Sequence, residues 1–369
     1  MTTESEQFPN PTAADPTHGR ALATVETISA LAPIEGADRI ELARVRGWDV
    51  VVGKGDFAVS DRCVYIEIDA LLDTTKSVFA SLEPRGVRTD ATGRRGHALK
   101  TARLRGVFSQ GIAYPVQAFA EDEFPGLPDL ATVPLGTDLT TVLGVVVWEP
   151  PLPVSMAGEL APFPARLSKT DEERVQNMAE ILAVMDATWI ATEKIDGTST
   201  SFALDETGFT VAGHNWAVLP TPGHALWQMA EKYDVEAKLR AWTADQGWCQ
   251  VALQGETYGE KIQGNPLKVQ GLRFAVFNVV ADGRRLPRAE WPEFALELSV
   301  PVIDLAPPAT VDQALAQADA QASLINPQAK AEGIVWRSTT ATWVDLPSGV
   351  QVEASFKVVS NRYLLKHDR

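Results

Sequence analysis

The chain has 369 residues, of which 45% are hydrophobic, and a formal net charge of −15 at pH 7. This length suits about two or three domains, and the apolar share is ordinary for a globular protein. No apolar run approaches the roughly 18 residues of a transmembrane helix, so we expect no membrane partner. The acidic total argues against a simple nucleic-acid coat, although phosphate binding needs only local positive charge.

The first 20 residues, MTTESEQFPNPTAADPTHGR, are polar and lack the apolar core of a signal peptide. We therefore predict a disordered tail there. The two cysteines, Cys63 and Cys249, suggest neither a disulfide framework nor a zinc site. A reducing cytoplasm is the expected compartment, and a monomer is the expected state.

Residues 21–150 alternate between short apolar strand patterns and glycine-rich turns. ALATVETISALAPI, RIELARVRGWDVVVG and DRCVYIEIDALL each have the composition of a strand, and EGAD provides a turn between the first two. Several short strands with few helical patterns predict a small OB-like β-barrel, a fold that binds nucleic acids. A β-sandwich is the alternative.

A basic stretch lies within this β-rich region. Residues 84–105, PRGVRTDATGRRGHALKTARLR, contain seven cations and one acidic residue. This stretch is either a solvated loop of an acidic protein or a nucleic-acid contact. The candidate nucleic-acid-binding residues are Arg94, Arg95, Lys100, Arg103 and Arg105.

Residues 151–165 are proline-rich and predict a linker to a second domain at 166–369. Early in that domain, KTDEERVQNMAEILAVM has apolar residues at the helical period and acidic residues near its start, so it predicts an α-helix. TWIATEKIDGTSTSFALD predicts two strands that flank a turn after Lys194. HALWQMAEKYDVEAKLRAWTA predicts a helix, and VEASFKVVSNRYLL predicts a strand. The expected fold class is α+β.

Lys194 and the residues that follow it offer the parts of a nucleotidyl-transfer site. A lysine that attacks an α-phosphate must lose its proton, and the site needs carboxylates for a divalent metal, an aromatic ring for the base and cations for the phosphates. Glu256, Phe277, Glu332 and Lys357 follow Lys194 in strand-like contexts. Taken singly, each has an ordinary explanation as a solvated charge or a core residue.

The order of these residues resembles a known superfamily. Lys194-Ile-Asp-Gly197, Glu256, Phe277, Glu332-Gly and Lys357 resemble motifs I, III, IIIa, IV and V of the covalent nucleotidyltransferases, which comprise ATP-dependent DNA and RNA ligases and mRNA capping guanylyltransferases. FPARLSKTDEERVQN and SFKVVSNRYLLK are more similar to RNA ligases than to DNA ligases. The front half resembles the amino-terminal OB-type domain of one RNA ligase family. The resemblance covers roughly residues 20–369.

The resemblance implies a catalytic role for the lysine and for the acidic residues that match the motifs. Lys194 would be the adenylylated nucleophile, and Glu193 would lie near the adenine edge of ATP. Three carboxylates would organise Mg²⁺ or Mn²⁺ and its waters, namely Asp196, Glu256 and Glu332.

The same resemblance implies further contacts to ATP. Phe277 would stack on adenine, although Phe274 is close enough to be confused with it. Lys357 would contact the α-phosphate. Lys169 and Arg174 would meet the outer phosphates or the RNA 5′-phosphate.

Two positions depart from the family pattern. Many relatives have a Lys-x-Lys pair in motif V, whereas this chain has Ser355 at the first position. The family also supplies an arginine between motifs I and III, where this chain has VAGHNWAV. We assign that role to His214 or Asn215 without choosing between them, and Gly197 completes the nucleotide site.

The resemblance implies an ATP-dependent RNA ligase that joins 3′-OH and 5′-phosphate ends through lysyl-AMP and adenylylated-strand intermediates. Its partner would be a nicked RNA or RNA/DNA duplex, and its process would be RNA repair. One alternative is a capping guanylyltransferase, in which the OB domain normally follows the catalytic domain. The other is a non-catalytic RNA-binding protein on a degenerate ligase fold, which the intact carboxylates disfavour.

Overall fold

The computed structural model describes residues 20–90, 92–149 and 159–367. The chain divides into two compact units between residues 152 and 153. The predicted tail, up to residue 19, and the predicted linker, up to residue 158, lie outside the described residues. Within the described ranges, no helix has the length and apolar character needed to cross a membrane.

The first unit is built from short antiparallel strands. Its strands are β1 (Ala23–Pro33), β2 (Ile40–Val45), β3 (Trp48–Gly53), β4 (Arg62–Ile66), β5 (Ala70–Leu72), β6 (Arg88–Thr89), β7 (Arg95–Ala98), β8 (Ala102–Leu104), β9 (Val107–Ser109), β10 (Ile112–Pro115) and β11 (Val146–Val147). Short 3₁₀ helices cover Ser77–Arg85 and Val116–Ala118. One sheet has the order β10-β4-β1-β2-β3, another has the order β11-β5-β7-β6, and β8 pairs with β9.

Strand β1 explains the curvature of the five-stranded sheet. It pairs with β4 through Ala23–Thr27 and with β2 through Ile28–Pro33, and the register shifts between Ile28 and Ala30. A bulge of this kind bends a strand and increases its twist, so one strand serves two differently oriented partners. The unit is an OB-fold, as the sequence predicted, with a core that includes Phe79 and Phe124.

The segment DRCVYIEIDALL is two strands instead of the one predicted. β4 ends at Ile66 and β5 begins at Ala70, and Asp69 between them has a positive φ of 71°. Cys63, Val64 and Tyr65 all have 0% exposure, so both faces of β4 are covered.

The second unit combines two larger antiparallel sheets with helices. Its strands are β12 (Leu160–Pro162), β13 (Trp189–Lys194), β14 (Thr198–Asp205), β15 (Gly208–Ala212), β16 (Trp216–Val218), β17 (Val251–Gly259), β18 (Leu272–Ala281), β19 (Arg284–Arg285), β20 (Val302–Ile303), β21 (Gly333–Ser338), β22 (Trp343–Asp345), β23 (Gln351–Glu353) and β24 (Ser355–Val359). Its α-helices are α1 (Ala225–Lys232), α2 (Val235–Gln246), α3 (Glu293–Glu297), α4 (Val311–Ala320) and α5 (Asn361–His367). Further 3₁₀ turns cover Val175–Asn177, Ala179–Val184 and Arg288–Glu290.

The two sheets of this unit have separate hydrophobic cores. The larger sheet has the order β12-β16-β15-β14-β17-β18-β19 and packs Phe202 and Val251 against Leu226 of α1 and Leu239 of α2. The smaller sheet has the order β20-β13-β21-β24, and its Trp336 packs with Ala314 of α4. β22 and β23 form a separate hairpin between β21 and β24. The fold class is α+β, as expected.

Three predicted elements of this unit differ from the structure. KTDEERVQNMAEILAVM forms two 3₁₀ turns and no α-helix, because its backbone pairs with β24: the Lys357 N–H donates to the Glu173 carbonyl at 2.8 Å. The long helix predicted after His224 is interrupted between α1 and α2, where Asp234 has a φ of 51°. The predicted final strand ends at Val359, and Asn361–His367 is helical.

Candidate active site

The turn after Lys194 joins the two sheets of the second unit. Lys194 is the last residue of β13 in the smaller sheet, and Thr198 begins β14 in the larger one. Ile195 between them is buried with 4% exposure. A Cβ on Gly197 would lie 2.4 Å from the Thr257 carbonyl oxygen, so glycine is required for this close approach. The lysine is therefore held at a fixed point between the sheets.

The Lys194 amine lies among carboxylates. Its Nζ donates to Glu332 Oε1 at 2.6 Å. Burial alone would lower the pKa of Lys194, but the negative charges of Glu332, Glu256 and Asp196 outweigh burial and raise it. The lysine is thus held in its protonated form.

Glu256 faces the same space from β17. Its neighbour on β14 is Ser199, and the Gly197 backbone contributes a hydrogen bond to the carboxylate. Burial raises the pKa of Glu256 to about 8, while Lys194 acts in the opposite direction. Asp196 is fixed from another side, because the Tyr363 hydroxyl of α5 donates to its Oδ2 at 2.8 Å.

The carboxylates fit a hydrated divalent ion better than a directly ligated one. Over the described residues, no three His, Cys, Asp or Glu side chains gather as direct metal ligands. However, Glu332 Oε2 is buried and lacks a hydrogen-bond partner among those residues. Mg²⁺ keeps several waters and is often held through them, and such waters would satisfy this oxygen.

A β-bulge separates the two candidate phenylalanines of β18. Gln254 pairs with Asn278 and Gly255 pairs with Val276, which leaves Phe277 as the extra residue of the bulge. Phe274 lies in the core of the larger sheet, with its ring 4.8 Å from that of Phe202. Phe277 instead lines the cavity beside Lys194. A bulge re-aims a side chain in this way.

A single cavity of about 310 Å³ collects most of the predicted site. Seven predicted residues line it: Glu193, Lys194, Gly197, His214, Glu256, Phe277 and Lys357. Glu193 is almost fully buried at its edge. Its Oε2 accepts from the Leu324 N–H at 2.7 Å, and its Oε1 is without a hydrogen-bond partner in the described chain. That oxygen is available to an amino group of a ligand.

Five other predicted residues do not line this cavity: the carboxylates Asp196 and Glu332, and Lys169, Asn215 and Arg174. Lys169 Nζ donates to the His214 carbonyl oxygen at 2.7 Å and to Asn215 Oδ1 at 2.6 Å. These contacts draw Lys169 and Asn215 together at the side of the site. Arg174 is buried with 6% exposure and forms a backbone bridge to Lys357. Of the two candidates between motifs I and III, His214 is the one that lines the cavity.

The sequence analysis missed a buried ion pair in the cavity wall. Arg337 of β21 donates both to Glu172 Oε1 and to the Phe277 carbonyl oxygen, and Ser355 Oγ donates to Glu172 Oε2 at 2.6 Å. Burial alone would raise the pKa of Glu172, but Arg337 and Ser355 lower it below its ordinary value. Glu172 is therefore part of the site wall and is not the helix-start residue that its sequence position predicted. Ser355, the residue that departs from the Lys-x-Lys pattern of motif V, completes this contact.

The basic stretch of the OB unit is largely exposed. Arg94, Arg95, Arg103 and Arg105 are exposed, and Arg103 and Arg105 belong to the β8–β9 hairpin and its turn. Lys100 lies with its amine 5.7 Å from the Trp148 ring centre. A surface cavity of about 580 Å³ is lined by Lys100 together with Arg85 and Arg88, two residues that the site prediction left out.

Comparisons with known proteins match both units. An OB-fold domain model matches residues 22–116, and an RNA ligase model matches residues 187–359. No curated protein sequence matches the chain.

Solved structures of a Naegleria gruberi RNA ligase are similar over nearly the whole chain. The structure with pyrophosphate is 36% identical, covers 95% of this chain and 100% of that one, and has a TM-score of 0.77. A glutamate-to-alanine variant with AMP and Mn is 35% identical over 95% and 99% of the two chains, with a TM-score of 0.77. A lysine-to-alanine variant with ATP and Mn is 35% identical over 94% and 99%, with a TM-score of 0.76.

Identity at this level, sustained through the OB-fold and the unit that contains the lysine cavity, is what members of one enzyme family share. The chain belongs to the RNA ligase family.

Proposed function

We propose that this RNA ligase uses ATP to seal 3′-OH/5′-phosphate nicks in duplexes whose 3′-OH strand ends in RNA, as a step of RNA repair. The observation that carries the proposal is the lysine cavity. It brings Lys194, the motif carboxylate Glu256, the ring of Phe277 and Lys357 around a space of about 310 Å³. Pockets of roughly 300–1,000 Å³ hold small ligands of nucleotide size.

The proposed chemistry has three steps. The neutral Lys194 amine attacks the α-phosphorus of ATP, a P–N bond forms, and pyrophosphate leaves. An oxygen of the RNA 5′-phosphate then takes the AMP from lysine, which gives an adenylylated strand. The 3′-OH finally attacks that 5′-phosphate, forms the phosphodiester and releases AMP.

The residues of the cavity match the needs of the first step. Phe277 offers an aromatic face for adenine. The Oε1 of Glu193, which has no hydrogen-bond partner among the described residues, offers an acceptor for the adenine amino group. Lys357 supplies positive charge for the α-phosphate. Lys169 and Arg174, at the side of the cavity, would meet the outer phosphates once ATP is bound.

We include Mg²⁺ or Mn²⁺ in the proposal, held by Asp196, Glu256 and Glu332 through water. A bound divalent ion would neutralise these carboxylates, which favours the unprotonated lysine, and would stabilise charge on the phosphate. The Naegleria gruberi relatives with ATP or AMP and Mn support both ligands.

The proposal also assigns RNA contacts, compartment and oligomeric state. Arg94, Arg95, Lys100, Arg103 and Arg105 would contact the duplex from the OB unit. The enzyme would act in the cytoplasm as a monomer, consistent with free Cys63 and Cys249.

The decisive experiment uses ATP or GTP labelled at the α-phosphate. We expect label from ATP on the wild-type protein and none on Lys194→Ala or Lys194→Arg, because arginine keeps the charge but does not lose its proton. Sealing of a pre-adenylylated strand should survive in both variants, since that step needs no attack by lysine. Label from GTP would support a capping enzyme, and normal labelling of either variant would refute the role of Lys194.

A further inference from the structure

A second cavity, of about 570 Å³, adjoins the lysine cavity in the same unit. The two share Thr170, Asp171 and Glu172 as a common wall. At the bulge in β18, neighbouring residues face different cavities: Phe277 lines the lysine cavity, and the next residue, Asn278, lines the second cavity. A ligand in the second cavity would therefore lie beside the nucleotide pocket.

An exposed tryptophan stands at the edge of this second cavity. Trp343 lies on the β22–β23 hairpin, lines the cavity and is 55% exposed. A large aromatic ring exposed to this degree beside a concave surface is available for stacking, and every nucleobase has a face that stacks on it.

The floor of the cavity contains an unsatisfied hydrogen-bond acceptor. Gln254 Nε2 donates to the Ser168 carbonyl oxygen at 2.9 Å, and Asn278 Nδ2 donates to Gln254 Oε1 at 3.2 Å. The backbone carbonyl can only accept, so it fixes the orientation of both amides. Asn278 Oδ1 is therefore the last acceptor of this hydrogen-bond chain, which runs from Ser168 through Gln254.

Because Asn278 is buried, the lack of a donor for its Oδ1 among the described residues lowers the stability of the fold. Asn278 has 7% exposure, and no described residue donates to its Oδ1. Buried polar atoms normally have a partner, and leaving one without costs stability. A donor from a ligand would satisfy it.

The charges of the cavity favour a neutral group over a phosphate. Its lining includes three cations, Lys169, Arg284 and Arg285, and four acidic residues, Asp171, Glu172, Asp282 and Glu353. Several of these charges already form ion pairs: Glu353 pairs with Arg285, and Glu172 pairs with Arg337 of the lysine cavity wall. The cavity is not an electropositive phosphate site.

We propose that the second cavity binds one nucleoside of the RNA substrate, whose base stacks on Trp343 and whose amino or hydroxyl donor bonds to Asn278 Oδ1. This inference rests on the proposed ligase function and names a substrate contact next to the reacting ends. Trp343 and Asn278 act on RNA binding, while ATP reacts in the first cavity.

The test compares four proteins: wild type, Trp343→Ala, Trp343→Phe and the control Val350→Ala. Val350 lies on the same hairpin, is 56% exposed and does not line the cavity. Adduct formation with labelled ATP is measured first, and all four should form protein–AMP equally. Absence of the adduct in the wild type would refute the proposed function, not the subsite.

Binding of a labelled nicked RNA duplex is measured next. Trp343→Ala should weaken binding about tenfold, the effect of one lost base stack, with Trp343→Phe and Val350→Ala close to wild type. An abasic nucleotide moved along the RNA should weaken wild-type binding at one position and leave Trp343→Ala unaffected there. Unchanged binding by Trp343→Ala, or the lack of such a position, would overturn the proposal.

The donor to Asn278 is identified at that same nucleotide. A 2′-deoxy substitution tests the ribose hydroxyl, and a base that lacks its amino group tests the base. The substitution that removes the donor should weaken wild-type binding and have no further effect in Asn278→Leu. If neither substitution weakens binding, Asn278 does not contact the substrate.

Discussion

At the scale of single residues, the site holds its nucleophile in a form that cannot react. Lys194 is paired with Glu332 at 2.6 Å, and the surrounding carboxylates raise the pKa of its amine. Attack requires a neutral amine, so something must offset those negative charges before the first step. The carboxylates are thus expected to matter through the cation they hold as much as through the lysine.

We predict that Asp196→Ala, Glu256→Ala and Glu332→Ala each lower the rate of protein–AMP formation at least about a hundredfold, the size of one lost strong electrostatic contact. Glu256→Gln and Glu332→Gln keep the shape but lose the charge, and should be nearly as slow. Rates measured against metal concentration should show that Mg²⁺ or Mn²⁺ supports the reaction and that Ca²⁺ supports it poorly.

Glu260→Ala provides the control, because Glu260 is an exposed carboxylate just beyond β17. It should react at the wild-type rate. Wild-type rates and metal dependence in all three alanine variants would mean that the metal is held elsewhere.

At the scale of elements, the cavity exists because segments far apart in the chain meet within tight distances. A Cβ on Gly197 would lie 2.4 Å from the Thr257 carbonyl oxygen, and a Cβ on Gly333 would lie 2.2 Å from the Val358 carbonyl oxygen. Glu172 ties the segment before Val175 to β21 through Arg337 and to β24 through Ser355. The Gly333 and Glu172 contacts hold the strands of the smaller sheet together, and the Gly197 contact places the turn after Lys194 against β17.

Gly197→Ala should destabilise the protein by about 1–3 kcal/mol, the usual cost of forcing an extra methyl into a packed site. The matched control is Gly213→Ala, whose Cβ would have its nearest neighbour at 3.8 Å. Urea unfolding midpoints measure the difference. Equal midpoints for the two variants would show that the turn relaxes without cost.

The Glu172–Arg337 pair predicts a pH dependence of stability. The pKa of Glu172 is lowered in the folded protein, so its charge stabilises the fold above its ordinary pKa of 4.5, and this contribution is lost as the pH falls. Glu172→Gln should be less stable than wild type at pH 7 by about 3 kcal/mol, because Arg337 remains buried without its counter-charge.

The stability difference between Glu172→Gln and wild type should narrow as the pH falls below 4.5. Denaturant unfolding at several pH values measures it, with Glu206→Gln, an exposed position, as the control. A difference that stays constant with pH would show that the charge of Glu172 is not what stabilises the wall.

At the scale of the whole molecule, the OB-fold and the catalytic unit each have a core of their own. We expect the OB-fold to serve RNA binding and the second unit to carry the reaction with ATP. Removal of residues 1–152 should therefore spare protein–AMP formation more than nick sealing. Sealing by the full chain should also fall steeply with salt, because phosphate contacts release counterions.

Both activities are measured on the truncated protein after circular dichroism has verified that it is folded. The full chain at matched salt is the reference. Nick sealing by the truncated protein at the full rate would show that the OB-fold has another purpose.

The sequence by itself determined the family, the OB-fold and the α+β class, because these depend on residue types in a fixed order and on strand periodicity. Lys194, Glu256 and Phe277 could be named because the resemblance assigned each motif position a role. The strands on either side of Lys194 were equally readable, since their apolar composition and the intervening Gly197 are local signals.

Only the tertiary structure decided which side chains share a space. Residues 169–185 have a helical pattern, but pairing with β24 overrode it and turned Glu172 into the cavity wall. Tyr363 reaches Asp196 from a segment predicted as strand, and the bulge separates Phe277 from Phe274. The contacts of Glu172 and Tyr363 join positions more than a hundred residues apart, and the bulge depends on how β18 pairs with β17. Local propensity does not predict such features, because packing and buried hydrogen bonds determine them.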